Sequence, residues 1–136
     1  MLDQTEIDAL RASAMVMRES KKDASNMFYD TLFEQSPDLR GLFPAQMTDQ
    51  ARKFSATLVV AVNSLSNWKA LQPIIEALAR RHLTYGVTME HYDVVGKALV
   101  ETLRKLGTSS ADIAIWTKVY ALLADHMKAT AYPAAD

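Results

Sequence analysis

The chain has 136 residues, 49% apolar and 23% charged, which suits one globular domain (residues 1–136) with a single core and excludes a disordered chain. Fifteen Lys and Arg stand against 16 Asp and Glu, a formal net charge of -1, without the basic excess of a nucleic-acid or membrane-surface binder. Cysteine is absent, which removes disulfides, thiolate metal sites, a cysteine nucleophile and cofactor attachment through CxxCH.

Gly and Pro number four each and fall singly, and alternating β-branched runs are missing, so the chain reads as all-α. Leu2, Ile7, Leu10 and Ala14 mark a first amphipathic helix ending near Glu19. Ser20 is a cap for a second, which carries Ala24, Met27, Phe28, Tyr29, Leu32 and Phe33. Ser36-Pro37 pairs a cap with proline at the first helical position and opens a short turn ending near Phe43-Pro44. A longer helix from about Thr48 carries Met47, Ala51, Phe54, Leu58, Ala61 and Leu65 at three- and four-residue spacing. Pro73 is expected in the first turn of the next helix, with Ile74, Ile75, Leu78 and His82 inward and Gly86 ending it. Another runs from about Glu90 to Leu106, with Tyr92, Val95, Leu99 and Leu103 inward and Gly107 as terminator. The last begins in Thr108-Ser109-Ser110, buries Ile113, Trp116, Tyr120, Leu123 and Met127, and fades before Pro133.

Polar residues that break these stripes carry the chemical information. His82 follows Leu78 by four residues and Ile75 by seven, so it points inward. Alone it reads most simply as a hydrogen-bonded core histidine; the sharper reading is a neutral ligand to a buried metal. Gln50 precedes Phe54 by four residues, and Tyr29 and Tyr92 sit inside apolar segments, where a core tyrosine with its hydroxyl at the edge is the common case. Phe28, Phe43, Phe54, Leu58, Val87, Val95 and Leu99 supply large apolar walls for a cofactor pocket. His91 and His126 form no HxxH or HExxH pair, and no phosphate loop or nucleophile motif is present.

Phe28-Tyr29-Asp30-Thr31-Leu32-Phe33, then Ser36-Pro37-Asp38-Leu39-Arg40-Gly41-Leu42-Phe43, Arg80-Arg81-His82-Leu83-Thr84-Tyr85-Gly86-Val87 with Tyr92 and Val95-Gly96, and Trp116-Thr117-Lys118-Val119-Tyr120 together resemble the bacterial single-domain globins related to the haem domain of flavohaemoglobins. The likeness spans nearly the whole chain and implies a globin fold, helices packed three-over-three, around non-covalent haem b. It implies His82 as the iron ligand, Phe43 as the aromatic on the haem face, and Tyr29 and Gln50 as distal donors to a bound gas. Phe54 stands where this family often has leucine, at the edge of the distal space. Lys53 and Arg81 are implied propionate contacts; Val87 and Val95 line the histidine side. Tyr92 matches a tyrosine that related globins couple to a glutamate on the last helix, but the glutamate's position is Ala131 here. A carboxylate behind the imidazole would raise its basicity, so its loss points towards simple ligand binding.

The expectation is a globin that binds oxygen, nitric oxide or carbon monoxide reversibly. A nitric oxide dioxygenase served by a separate reductase is the enzyme alternative, and a haem-free interaction module is the third. No nucleic-acid or membrane partner is expected, and a monomer or weak homodimer is. The start of the chain shows no basic segment followed by an apolar run, and the apolar stretch from Leu58 to Val62 is too short to cross a bilayer, so a cytoplasmic location is expected.

Overall fold

In the computed structural model, residues 2–19 and 24–133 are described. They form α1 (Gln4–Glu19), α2 (Ala24–Gln35), a 3-10 segment (Pro37–Leu42), α3 (Thr48–Asn63), α4 (Trp68–Thr84), α5 (Met89–Lys105) and α6 (Ser110–Ala131), with no strand among them. Helix ends follow local chemistry. Asp3 and Glu6 exchange backbone-to-carboxylate hydrogen bonds at the start of α1 (2.8 and 3.1 Å). The Ser109 side chain accepts from Asp112 N at 3.2 Å, capping α6. Gly86 and Gly107, with φ of 89° and 80°, turn the chain beyond α4 and α5 in the left-handed region that glycine adopts without strain.

Helix α2 packs on α5, α4 on α6, and α5 on α6, while α1 reaches α3 and α6. The larger apolar cluster joins Ile7 and Leu10 of α1 to Leu71, Ile75 and Ala79 of α4, Tyr92 and Leu103 of α5, and Trp116 and Val119 of α6. A second cluster gathers Phe28, Tyr29, Leu32, Leu39, Ala51 and Ala98. Leu99 packs against both, so they form one continuous interior. Some of its buried polar groups are paired across long sequence distances: Trp116 Nε1–H donates to Ser13 Oγ at 2.9 Å. Lys105 Nζ donates to Thr31 Oγ1 at 3.0 Å, and Thr31 donates to the Met27 carbonyl at 2.8 Å.

Three expectations need adjustment. Pro73 lies in the second turn of α4, not the first, because Asn67 starts the helix, its side chain accepting from Ala70 N at 3.4 Å. Ile74 faces outward with 47% of its surface exposed, while Ile75 next to it is buried; one helical step of 100° separates them. The proposed cap at Ser20 lies outside the described residues.

Candidate functional site

Helix α2 brings Tyr29 inward and α3 brings Gln50 to meet it: the Gln50 amide donates to Tyr29 Oη at 3.2 Å. That bond occupies a lone pair of the phenol and leaves its O–H to donate elsewhere. Tyr29 is buried, and burial raises its pKa above the ordinary tyrosine value against the smaller opposing effect of Gln50, so the hydroxyl stays protonated. Four phenylalanines surround it, with Phe28, Phe33, Phe43 and Phe54 at 5.1, 6.1, 5.5 and 5.7 Å between ring centroids. Phe54 also meets Phe28 edge-on at 4.6 Å. The edge contacts of Phe28, Phe43 and Phe54 and the stacked contact of Phe33 hold the tyrosine in a fixed orientation.

Phe43 is positioned from the 3-10 segment. Arg40 donates from Nη1 to the carbonyls of Phe43 (3.3 Å) and Pro44 (2.9 Å), and from Nη2 to that of Ala45 (3.0 Å). The guanidinium also lies over the Phe33 ring at 5.2 Å.

His82 occupies the last turn of α4, half-buried, with Nδ1 2.8 Å from the Leu78 carbonyl. A carbonyl only accepts, so Nδ1 carries the proton and Nε2 keeps its lone pair. Burial pushes the imidazole's pKa below the ordinary value, outweighing the Leu78 bond that raises it; the Arg81 charge lowers it further. The result is a neutral imidazole with one free nitrogen, the form that ligates metals. The Tyr92 ring lies 6.5 Å from it at 25°, and the Tyr85 ring 6.3 Å away.

An apolar cleft runs between α3 and α4, the helices carrying Gln50 and His82. Ala56, Thr57 and Val60 line one wall, Ile74 and Leu78 the other, with the cationic Arg81 also facing it. Lys53 is exposed, and neither it nor Arg81 forms an ion pair among the described residues. Val87 packs with the larger cluster and receives the Tyr132 hydroxyl on its carbonyl, whereas Val95 packs with the second cluster. The structure therefore joins Tyr29, Gln50, Phe43 and Phe54 in one group and His82 and Tyr92 in another, while Lys53 touches neither.

Sequence reasoning missed the cleft wall at Ala56, Thr57 and Val60. Their three- and four-residue spacing is itself a stripe, but it lies off the one read as inward. It also missed His126, whose Nε2 lies 2.9 Å from Glu76 Oε2 and whose ring meets Trp68 at 5.7 Å; no spacing rule pairs residues fifty positions apart. Among the described residues no group of three or more His, Cys, Asp or Glu is placed to hold a metal ion, and no helix is long and apolar enough to cross a membrane.

The Globin family model matches residues 26–127. A flavohemoprotein of Bordetella parapertussis is 32% identical over 88% of this chain and 32% of its own length. One of Chromobacterium violaceum is 30% identical over 92% of this chain and 32% of its own length. The chain thus spans about a third of the length of these relatives. Among solved structures, a bacterial globin from Campylobacter jejuni superposes with a TM-score of 0.84 at 20% identity, covering 95% of this chain and 96% of that one.

Proposed function

The chain belongs to the globin family, and on that premise we propose that it binds haem b non-covalently and takes up a diatomic gas reversibly, oxygen foremost. The residues suit such a group. A planar apolar macrocycle with carboxylates on one edge calls for apolar walls, a cation at the rim and one neutral nitrogen donor. Val60, Ile74 and Leu78 offer the walls, Arg81 the cation, and His82 Nε2 the donor. Phe43, Phe54, Val87 and Val95 would close around it, Tyr92 would back the histidine, and Lys53 is assigned to a propionate by swinging in from the surface. The absence of cysteine leaves no thioether attachment.

The iron of a bound haem supplies reversible coordination of a small gas molecule. The protein's own contribution lies in how its hydrogens are disposed. His82 keeps its ring fixed through the Leu78 carbonyl and presents Nε2. Tyr29, fed by the Gln50 amide, is left with a spare O–H to donate to a polar gas ligand. This bond between Gln50 and Tyr29 is the observation that carries the proposal, because it sets the direction of the phenol's proton. The surrounding phenylalanines exclude water, which strengthens such a hydrogen bond. A bond to a partly charged acceptor is worth about 1.5–3 kcal/mol.

The first test is haem uptake, followed by visible spectra of the ferric, reduced and carbon-monoxide-bound forms. A saturable complex whose Soret band shifts with carbon monoxide, and which is lost in His82→Ala, supports the proposal; no saturable complex refutes it and leaves a helical interaction module. Tyr29→Phe should then speed oxygen release by about ten- to a hundredfold, and an unchanged off-rate rejects Tyr29 as the donor. That both relatives are flavohemoproteins favours a second reading, in which nitric oxide and dioxygen would combine at the same site to give nitrate, both oxygen atoms ending in the product, and one electron from a separate reductase would restore the ferrous haem for each turnover. Sustained turnover with a reductase, beyond a single oxidation, would select it.

A further inference from the structure

The chain turns from α4 into α5 through residues 85–88, and the backbone of this connection is tied back to His82: the N–H groups of Tyr85 and Val87 both donate to the His82 carbonyl, each at 3.1 Å. Thr88 N–H goes elsewhere. It donates at 3.0 Å to Nδ1 of His91, three residues on in the first turn of α5. A backbone N–H only donates, so Nδ1 must present its lone pair, and the proton of the neutral ring sits on Nε2. This is the opposite disposition to His82, whose Nδ1–H faces the Leu78 carbonyl. The capping bond therefore exists only for a neutral imidazole, whereas the glutamine that can fill the same place in a capping box accepts at any pH.

We propose that His91 is a pH-sensitive latch on the connection between α4 and α5. A proton added to Nδ1 sets two donors face to face, so the ring turns away and Thr88 N–H loses its partner. A positive charge at the N-terminus of a helix adds to the effect. Glu90 is the charged neighbour on α5. Its carboxyl is held below the ordinary range first by its own backbone N–H, then by the Thr88 side chain, and least by the attraction of His91. It favours the charged imidazole without giving Thr88 N–H a new acceptor. Asp93 turns instead to Lys128 of α6 at 3.8 Å, and His91 makes no hydrogen bond or ion pair with another helix among the described residues. Acid thus acts on a single bond, whose loss frees Thr88 and, through the chain, Val87 beside His82. The consequence for haem retention rests on the reading of His82 as the iron ligand; the latch itself does not.

The test is nitrogen-15 NMR of the full chain. At about pH 8 the imidazole is neutral, the His91 ring nitrogens should report the Nε2–H tautomer, and a scalar coupling should cross the bond from Thr88 N to His91 Nδ1. At about pH 5 the imidazole is charged, and that coupling should be gone. Thr88 amide exchange, corrected for the intrinsic effect of pH, should then be about fivefold faster, the loss of one hydrogen bond. His91→Gln should keep Thr88 protected in both conditions, and His91→Ala should leave it unprotected in both. An Nδ1–H tautomer, a missing coupling at the higher pH, or a loss of protection that persists in His91→Gln overturns the inference. On the haem-loaded chain, mild acid should speed haem transfer to excess apomyoglobin more in the parent than in His91→Gln. Equal acceleration overturns the link from the latch to haem retention. A parent chain that takes up no haem overturns the reading of His82 and that link with it, while the NMR result decides the latch by itself.

Discussion

Gly96 of α5 lies against the Tyr120 ring of α6 so closely that an added Cβ would stand 2.9 Å from Cε2 and 3.2 Å from Cδ2. The ring cannot swing aside freely, because its hydroxyl is tied to the Tyr92 carbonyl at 2.6 Å and its apolar body packs against the larger cluster. Gly96→Ala therefore forces α5 and α6 apart or breaks that bond. Overpacking costs about 1–3 kcal/mol and a lost hydrogen bond about 1 kcal/mol, while alanine's better helix propensity returns about 1 kcal/mol. The net expectation is a loss of about 2 kcal/mol, combining these terms. At about 2.1 cal/mol/K of unfolding entropy per residue, a 136-residue chain should melt about 7 °C lower. Circular dichroism at 222 nm during a thermal ramp measures this directly. Adding Tyr120→Leu should make the alanine cheaper, since the obstruction is the ring. A Gly96→Ala chain that melts at or above the parent temperature, or a double variant that shows simple additivity, would refute the close-contact argument.

Two further outcomes follow from paired groups. Ser13→Ala should destabilise the fold by about 1–3 kcal/mol by leaving the buried Trp116 N–H without its acceptor; chemical denaturation measures it, and an unchanged midpoint at constant slope would show that water takes the serine's place. Glu6 has a pKa held below its ordinary value, first by the Asp3 backbone N–H and then by Lys118, whose Nζ lies 3.1 Å from both carboxylate oxygens. The folded state thus binds this proton less readily than the unfolded one. Its contribution is complete above about pH 4.5 and is lost as pH falls through the folded value. Glu6→Gln should flatten the acid limb of the stability profile, and a profile of unchanged slope below pH 4.5 would contradict the assignment.

The amphipathic spacing of Ile7, Leu10, Trp116 and Met127 made α1 and α6 legible, because each of these helices buries one face against the same core. The resemblance carried by Phe28-Tyr29, Phe43 and the segment around His82 placed Tyr29 and Gln50 together from positions twenty-one residues apart, and the two meet. Pro73 misled because proline favours a helix's first turn but survives further in when Asn67 caps earlier. What stayed hidden depended on distance along the chain. The Ser13–Trp116 and Glu76–His126 pairs exist only through packing, and the solitude of the Tyr92 hydroxyl depends on where every neighbouring phenol sends its proton.

Arg40 gives the segment that carries Phe43 an unusual thermodynamic character. The carbonyls of residues 43, 44 and 45 all converge on one guanidinium, so displacing that side chain releases all three. The segment is thus held by one side chain in addition to the backbone bond from Phe43 N–H to the Arg40 carbonyl, so a large share of its opening free energy rests on that guanidinium. A guanidinium keeps its charge at any working pH, so acid does not weaken the latch. Since Tyr29 and Phe33 both rest on Phe43, opening this segment would bare the aromatic wall to solvent. Arg40→Ala should therefore raise the amide exchange of this segment by a larger factor than that of the helices around it.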